Sequence, residues 1–224
     1  MTEPQPRSAR AKTAAERVRQ PTEIRRKLVV EAARTVIAER GPFGTTLRDI
    51  AQASGVSLGT VTYHFSGIAE ILAHVLQGEM DSFYLPIAER ARLAPDATTA
   101  IRTLIDGFFA DDERTVQHWR LWLDFWSLSA HDATHAEWQE KTYELWRTDV
   151  RQILERGIAT GEFDVDGLDV VMTDFLVSFD GLAVQAYLPG SSTGPPQARE
   201  YLHGWVDRRL SCTAGPEPAH GERQ

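Results

Sequence analysis

Residues 46–65 read TLRDIAQASGVSLGTVTYHF. Thr46 and Asp49 have the Thr-x-x-Asp spacing of a capping box, which predicts that a short helix begins here. Gly55 can adopt the positive φ that ends such a helix, and Ser57 can cap a second one. Two short helices joined by a tight turn predict a helix–turn–helix, a unit that places its second helix in the major groove of DNA.

The second of these helices carries side chains that suit contact with a duplex. Hydroxyl groups can hydrogen-bond with base edges or phosphates, and methyl groups can contact thymine. Thr46 and Arg48 suit phosphates because they lie at the positive N-terminus of the first short helix. The predicted DNA-binding residues are Arg25, Thr46, Arg48, Ser57, Leu58, Gly59, Thr60, Thr62, Tyr63 and His64. Tyr63 also has a plainer interpretation, in which its ring covers the small core of this unit.

Outside this unit, apolar residues recur at helical spacing and no alternating stretch predicts a strand. We therefore expect an all-α protein of about nine helices, with a long helix over 68–93 kinked at Pro86. The remaining helices are expected near 22–40, 96–110, 113–130, 135–160, 166–188 and 196–210. The expected organisation is a flexible basic arm at 1–20, a three-helix DNA-binding domain at 21–67, a helical effector-binding and dimerisation domain at 68–211, and a disordered tail at 212–224.

Composition and charge narrow the class of protein. The chain has 224 residues, 42% of them hydrophobic, which is ordinary for a globular protein. Its one cysteine excludes an internal disulfide, and no apolar run predicts a membrane span or a secretory signal, so we expect a cytoplasmic protein. Residues 1–66 hold eleven Lys and Arg against six Asp and Glu, whereas residues 67–224 hold thirteen against twenty-six. A basic end on an acidic body suggests that this end meets a polyanion.

The acidic body contains a concentration of aromatic residues. Trp119, Trp122 and Trp126 share one helix face, and Trp146 lies on another helix. The predicted effector-binding residues are Trp119, Trp122, Trp126, Trp146, Asp149, Phe175, Phe179 and Asp180. The rings either fill a solid core or surround a ligand, and each carboxylate is either a satisfied structural group or a ligand contact. Rings with a carboxylate would suit a cationic amine, whereas the rings alone would suit a neutral apolar effector.

The sequence also predicts what the body pairs with and what it lacks. The apolar 166–188 and 196–210 helices suit a four-helix interface between two copies, although they can equally close the core of one copy. No phosphate loop, zinc motif or nucleophile elbow occurs, so no catalytic residue, metal or cofactor is predicted. His131 and His135 are four residues apart, but they flank Asp132 in an apparent turn.

In the predicted helix–turn–helix and the helix before it, the sequence resembles the TetR family of bacterial transcription regulators. The likeness covers about residues 22–75 and includes AERG at 38–41, TTLRDIA at 45–51 and GTV at 59–61. It departs from the family where Leu58 and Ile68 replace frequent lysines, which removes cations from the DNA face. The basic arm is a candidate to compensate. More loosely, WRLWLDFW at 119–126 and FDGL at 179–182 resemble the BetI-type members, which respond to choline.

The resemblance implies a homodimer that binds double-stranded operator DNA, usually represses, and is released by a small-molecule effector. Two recognition helices would lie about 34–36 Å apart to enter successive major grooves. An effector that binds better to a wider-spaced dimer would lower DNA affinity, with the 68–93 helix as the lever. Two alternatives remain from the residues: a constitutive DNA-binding dimer with no effector pocket, or a helical enzyme with an appended helix–turn–helix.

Overall fold

The computed structural model describes residues 22–210, and this part of the chain is helical with no β-strand. The predicted arm at 1–20 and tail at 212–224 lie outside the described residues. The elements are α1 Thr22–Arg40, α2 Leu47–Ser54, α3 Leu58–His64, α4 Ile68–Glu79, a π-helical segment Met80–Tyr84, α5 Leu85–Arg92, α6 Ala97–Phe108, α7 Glu113–Ser129, α8 Ala133–Thr160, α9 Leu168–Tyr187 and α10 Pro195–Arg209. The all-α prediction is confirmed.

Local sequence accounts for the helix boundaries. Thr46 and Asp49 form the reciprocal capping box that begins α2, and Gly55 ends α2 with φ of 69°. Gly161 ends α8 in the same left-handed conformation, with φ of 76°. Aspartate side chains at three later N-caps accept hydrogen bonds from backbone N–H groups, and these residues are Asp96, Asp112 and Asp132.

One long helical stretch connects the first three helices with the rest of the molecule. Helix α4, the π-helical segment and α5 follow without a non-helical residue between them, so residues 22–210 contain nine separate helical stretches, as predicted. The irregularity expected at Pro86 takes the form of the π-helical turn that precedes it. Pro86 has no backbone N–H to donate to the preceding turn of this continuous stretch, and the π-helical turn before it accommodates that missing donor.

Packing joins the helix–turn–helix to the body. Helix α1 contacts α2 and α3 within the helix–turn–helix, and it also contacts α4 and α7. Val29, Ile37, Ile50 and Val61 are fully buried between the first helices, and this core is continuous with that of the body. A displacement of α4 or α7 would therefore also displace α1, because close-packed interiors have low compressibility and transmit strain.

Helix α9 is the most apolar helix among the described residues. By length and composition it could cross a membrane, and it is the one helix in residues 22–210 of which this is true. Val171, Phe175 and Phe179 bury one face of it in the core, while Val170 and Val177 are 59% and 66% exposed on the opposite face. The core helices of soluble proteins pass the same length and composition test.

Candidate DNA-reading face and effector cavity

Helix α3 presents a polar face to solvent. The Ser57 hydroxyl accepts a hydrogen bond from the Thr60 backbone N–H, so the helix is capped at its exposed end. The Tyr63 side chain is 81% exposed. It therefore does not cover the core, and the plainer interpretation of this residue is wrong. Ser57, Leu58, Gly59 and Thr62 are exposed, and Thr60 and His64 are half-buried.

Two buried side chains hold this face in place. Val61 is fully buried against α1 and α2, and Phe65 follows it into the core immediately after α3. The Arg26 guanidinium lies 5.7 Å from the centre of the Phe65 ring, a cation–π contact that fastens the end of α3 to α1. Helix α3 is thereby fixed on its inner side and free for contact on its outer side.

The other predicted DNA-binding residues flank α3. Thr46 and Arg48 are exposed at the start of α2, although the Thr46 hydroxyl also donates to Asp49. Arg25 is half-buried on α1. Of the two positions where the family frequently has lysine, Leu58 is 38% exposed on the reading helix, whereas Ile68 packs against the core. The apolar residue at 68 therefore has a structural partner, and the one at 58 faces outward.

An aromatic cavity of about 70 Å³ lies in the body, between the π-helical segment and α6 to α9. It is several times the space that one buried water molecule needs, so the aromatic residues do not form a completely solid core. Aromatic rings dominate its wall: Tyr84, Phe108, His118, Trp119, Trp122, Trp126, Tyr143, Trp146 and Phe179. The other lining residues are Met80, Gln139, Thr142 and Asp180.

Asp180 is the single acidic residue in the wall of this cavity. Burial raises the pKa of its carboxyl to about 6, against the opposing effects of the Tyr143 hydrogen bond and the nearby Arg147 charge. The Arg147 guanidinium lies 4.7 Å from the centre of the Tyr143 ring on the other side. At neutral pH the wall therefore combines an ionised carboxylate with the negative faces of several aromatic rings.

Six of the eight predicted effector residues line the cavity, and two do not. Asp149 accepts hydrogen bonds from the Tyr84 hydroxyl at 2.5 Å and from Arg92 at 3.0 Å, so it is a satisfied structural group. Phe175 is fully buried one turn before Phe179 on α9 and packs on Trp205, with 5.3 Å between ring centres. The prediction that Asp149 and Phe175 contact an effector is therefore corrected. Each shares a helix face with a residue of the cavity wall but packs elsewhere in the core.

Sequence reasoning missed several residues of the wall. His118 precedes Trp122 by one helical turn on α7, so helical spacing contained a signal for it. Met80 and Tyr84 have the same spacing, but the apolar periodicity of residues 68–93 predicts only a continuous helix there. Tyr143, Gln139 and Thr142 are polar residues on α8 without a sequence signal, because only the packing of α8 against its neighbouring helices places them in the cavity wall.

No group of three or more metal-ligating side chains occurs among residues 22–210. The backbone N–H of His135 donates to the Asp132 carboxylate at 3.0 Å, and the ring Nδ1 of His135 lies 3.1 Å from the same oxygen. Asp132 and His135 therefore form a helix cap with a side-chain contact. The cavity contains one carboxylate and one imidazole, and the imidazole is held by Glu79. This arrangement suits the binding of a small molecule.

An exposed recognition helix, joined by one long helix to a body with an aromatic cavity, defines a DNA-binding transcriptional regulator. Residues 29–75 match the tetR family of bacterial regulatory proteins, and residues 97–211 match BetI-type transcriptional repressors in their C-terminal part. The chain belongs to the TetR family, with a body of the BetI type. The resemblance seen in residues 22–75 is confirmed, and an enzyme with an appended helix–turn–helix is not supported.

Individual relatives agree with this assignment. The HTH-type transcriptional regulator BetI of Vibrio campbellii is 26% identical over 193 residues, which cover 84% of this chain and 94% of the relative. A transcriptional regulator from Saccharomonospora viridis, solved in complex with choline, has a TM-score of 0.79 at 21% identity and covers 85% of this chain and 99% of its own. A TetR regulator from Haloarcula marismortui has a TM-score of 0.74 at 20% identity, over 84% and 100%. At these identities the solved structures show a shared fold.

Proposed function

We propose that this regulator is a homodimeric repressor whose operator affinity falls when a small organic cation of the quaternary ammonium type binds in the aromatic cavity. The observation that carries the proposal is the composition of the cavity wall. Several aromatic rings and one carboxylate, Asp180, surround a space of about 70 Å³. Aromatic faces attract a cation more strongly when water is excluded, and such cages recognise quaternary ammonium groups.

Asp180 favours a cation over a neutral effector. Its half-buried carboxylate accepts a hydrogen bond from Tyr143 and has no cationic partner at hydrogen-bond distance, since the Arg147 charge acts on it from farther away. A buried anion is costly unless a charge offsets it, and a bound cation would supply that charge. The choline bound in the regulator from Saccharomonospora viridis, which shares the fold, is a ligand of this class.

The exposed face of α9 supports the homodimer. Val170, Val177 and Gly181 share this face, and the small residue allows two helices to approach closely. Tyr201 is 52% exposed on α10, the helix that packs against α9. Pairing with a second copy would bury this apolar surface and place two α3 helices to read adjacent major grooves. We assign the protein to the cytoplasm, where bacterial DNA is accessible.

The exposed side of α3 is the proposed reading surface, with 21–67 as the DNA-binding domain and 68–211 as the effector and dimerisation domain. Tyr63, Thr62 and Ser57 would contact bases or phosphates, and Arg48 and Arg25 would contact phosphates. Exposure of Ser57, Thr62 and Tyr63 over a buried Val61 supports the assignment, because a recognition helix must be packed on its inner side and accessible on its outer side.

Two ligands of nearly equal shape test the effector class. Choline is titrated into the protein, and so is its neutral isostere, in which a tert-butyl group replaces the trimethylammonium group. We expect choline to bind at least about tenfold more tightly, since cation–π and carboxylate contacts in a desolvated site exceed about 1.4 kcal/mol. Equal affinities would instead support a neutral apolar effector.

A second measurement connects this binding to DNA. The full chain is titrated onto duplexes from upstream of its own and neighbouring genes, with and without choline. Choline should weaken the specific complex by about 5- to 150-fold, the usual range of coupling between two sites. Specific DNA binding that no tested cation or cell extract weakens would support a constitutive DNA-binding dimer.

A further inference from the structure

Glu79, the last residue of α4, is an almost completely buried carboxylate at the junction of the two parts of the molecule. Its side chain is 1% exposed. Arg34 donates to it at 2.6 Å, Arg114 at 2.7 Å and the His118 ring at 3.0 Å. Burial would raise the pKa of Glu79, but hydrogen bonds from His118, Arg114 and Arg34 outweigh burial and lower it to about 2.

His118 belongs to this cluster and to the cavity wall at the same time. Its ring lines the cavity and stacks on Phe83, with 3.8 Å between ring centres. Burial lowers the pKa of His118 against the opposing effect of Glu79, which favours the neutral ring. Because the Glu79 carboxylate can only accept, the proton of the neutral ring is on Nδ1, the atom that faces Glu79. Any ligand that displaces this ring also disturbs the Glu79 hydrogen bond.

Arg34 carries the connection to the DNA-binding domain. It lies on α1, whereas its partners Glu79 and Gln117 lie on α4 and α7. Its Nε donates to Glu79 and its Nη1 donates to Gln117 at 2.8 Å, while its Nη2 is buried with no partner in the structure. One guanidinium thus fastens α1 to α7, which lines the cavity, and to the end of α4, which leads into the π-helical segment of the cavity wall.

The π-helical segment places the same cluster next to a second contact with the cavity. Glu79 directly precedes the segment, and Met80 and Tyr84 within it line the cavity. A π-helical turn is a rare irregularity within an α-helix and frequently occurs at functional sites. A ligand that presses on Met80 and on His118 would therefore act on Glu79 from both its chain neighbour and its hydrogen-bond partner.

We propose that the hydrogen-bonded series His118–Glu79–Arg34 couples the effector cavity to α1, with Arg34 as the positioning residue that transmits the change to the DNA-reading face. The inference rests on the proposed effector-responsive function and names its route. In the unliganded protein the series holds α1 in one orientation. Displacement of His118 shifts Glu79, which releases or re-aims Arg34, and α1 then reorients α3 because they share one core.

Arg114 provides a matched control within the same cluster. It donates to the same carboxylate as Arg34, but it lies on α7 in the body, and its other partners are the Ser82 hydroxyl and the Phe83 ring, whose centre is 5.3 Å away. R34Q and R114Q each remove one guanidinium from Glu79, and only R34Q cuts the connection to α1. His118→Phe keeps an aromatic ring in the wall and removes the hydrogen bond to Glu79.

The experiment is a double-mutant cycle read out by amide hydrogen exchange of the full-length protein without effector or DNA. H118F is made in the wild-type, R34Q and R114Q backgrounds, and exchange in α1 is compared with exchange in α9, which reports global unfolding. We expect H118F to accelerate exchange in α1 relative to α9 by at least about fivefold in the wild-type and R114Q backgrounds, and to have little effect in R34Q.

Equal acceleration by H118F in the R34Q and R114Q backgrounds would overturn the proposed route, as would no acceleration in the wild type. This readout contains no effector, so it is independent of the effector class. Failure of choline to bind would contradict the proposed function, whereas an additive cycle would contradict the coupling series.

In a choline titration, R34Q should retain ligand affinity and lose most of the effect of choline on DNA binding, and R114Q should retain both.

Discussion

The Tyr143 hydroxyl donates a hydrogen bond to the Asp180 carboxylate at the wall of the aromatic cavity. Burial raises the pKa of Asp180 to about 6, and the Tyr143 hydrogen bond and the Arg147 charge limit that rise. Burial and the neighbouring Asp180 charge raise the pKa of Tyr143 well above its usual value, so the phenol remains a donor. The pair keeps a carboxylate ionised at neutral pH in an otherwise apolar wall.

This pair predicts a pH dependence of effector binding. Choline carries a fixed charge, so a change in its affinity reports on the protein. We expect the affinity to be constant near pH 8 and to fall below about pH 6, as Asp180 becomes protonated. Isothermal titration between pH 5 and pH 8 measures it. In D180N the affinity should be lower by about tenfold at pH 8 and independent of pH; a retained pH dependence would mean that another group titrates.

The raised pKa of Asp180 affects the stability of the fold in the opposite direction to effector binding: a rise in pH favours binding and lowers stability. A carboxyl with a raised folded-state pKa stabilises the fold below its unfolded value, near 3.8, and this contribution is lost as the pH rises through about 6. Asn at position 180 has no such penalty at pH 8. D180N should therefore bind effector less well and unfold at an equal or higher temperature.

Glu79 predicts a stability change in the other direction. Its pKa is lowered from 4.5 to about 2, so its contribution is fully present above pH 4.5 and is lost as the pH falls through about 2. E79Q leaves Arg34 and Arg114 without a buried counter-charge, and we expect a loss of about 3 kcal/mol at pH 7. Urea unfolding at pH 7 and pH 3 measures this loss, which should shrink at the lower pH. R114Q, which keeps the carboxylate, should cost less.

Substitutions on the two sides of α3 should have different effects, one on DNA affinity and the other on the stability of the fold. Tyr63 is 81% exposed and Val61, two residues earlier, is fully buried. Y63A should leave the unfolding temperature nearly unchanged and weaken specific DNA binding by about 1–3 kcal/mol if the ring meets a base. V61A should lower the unfolding temperature, because it opens a cavity under the helix. Unchanged DNA affinity in Y63A would remove this residue from the reading surface.

The exposed face of α9 predicts the oligomeric state. Val177 is 66% exposed on this face, so V177K would introduce a charge at the centre of the proposed interface with little effect on one isolated copy. We expect V177K to sediment as a monomer and to lose specific DNA binding. Leu145, which is 55% exposed on α8, offers the matched control, since L145K should remain dimeric. A monomeric wild-type protein would contradict the homodimer.

Local sequence determined the helix–turn–helix. The Thr46–Asp49 capping box, the positive φ of Gly55 and the Ser57 cap each depend on residues within a few positions, so spacing alone predicts them. The positions of the tryptophans also followed from helical periodicity, and Trp119, Trp122, Trp126 and Trp146 all line the cavity. Periodicity predicts which residues share one face, because it is a property of a single helix.

Tertiary structure decided which of those faces meet, and at what depth. Asp149 and Trp146 are neighbours on α8, yet Trp146 lines the cavity while Asp149 turns to Tyr84 and Arg92, more than fifty residues earlier in the chain. The Tyr143–Asp180 pair and the convergence of Arg34 and His118 on Glu79 likewise join separate helices. The rotation and offset of one helix against another come from side-chain packing across their whole contact, which no spacing within a single helix encodes.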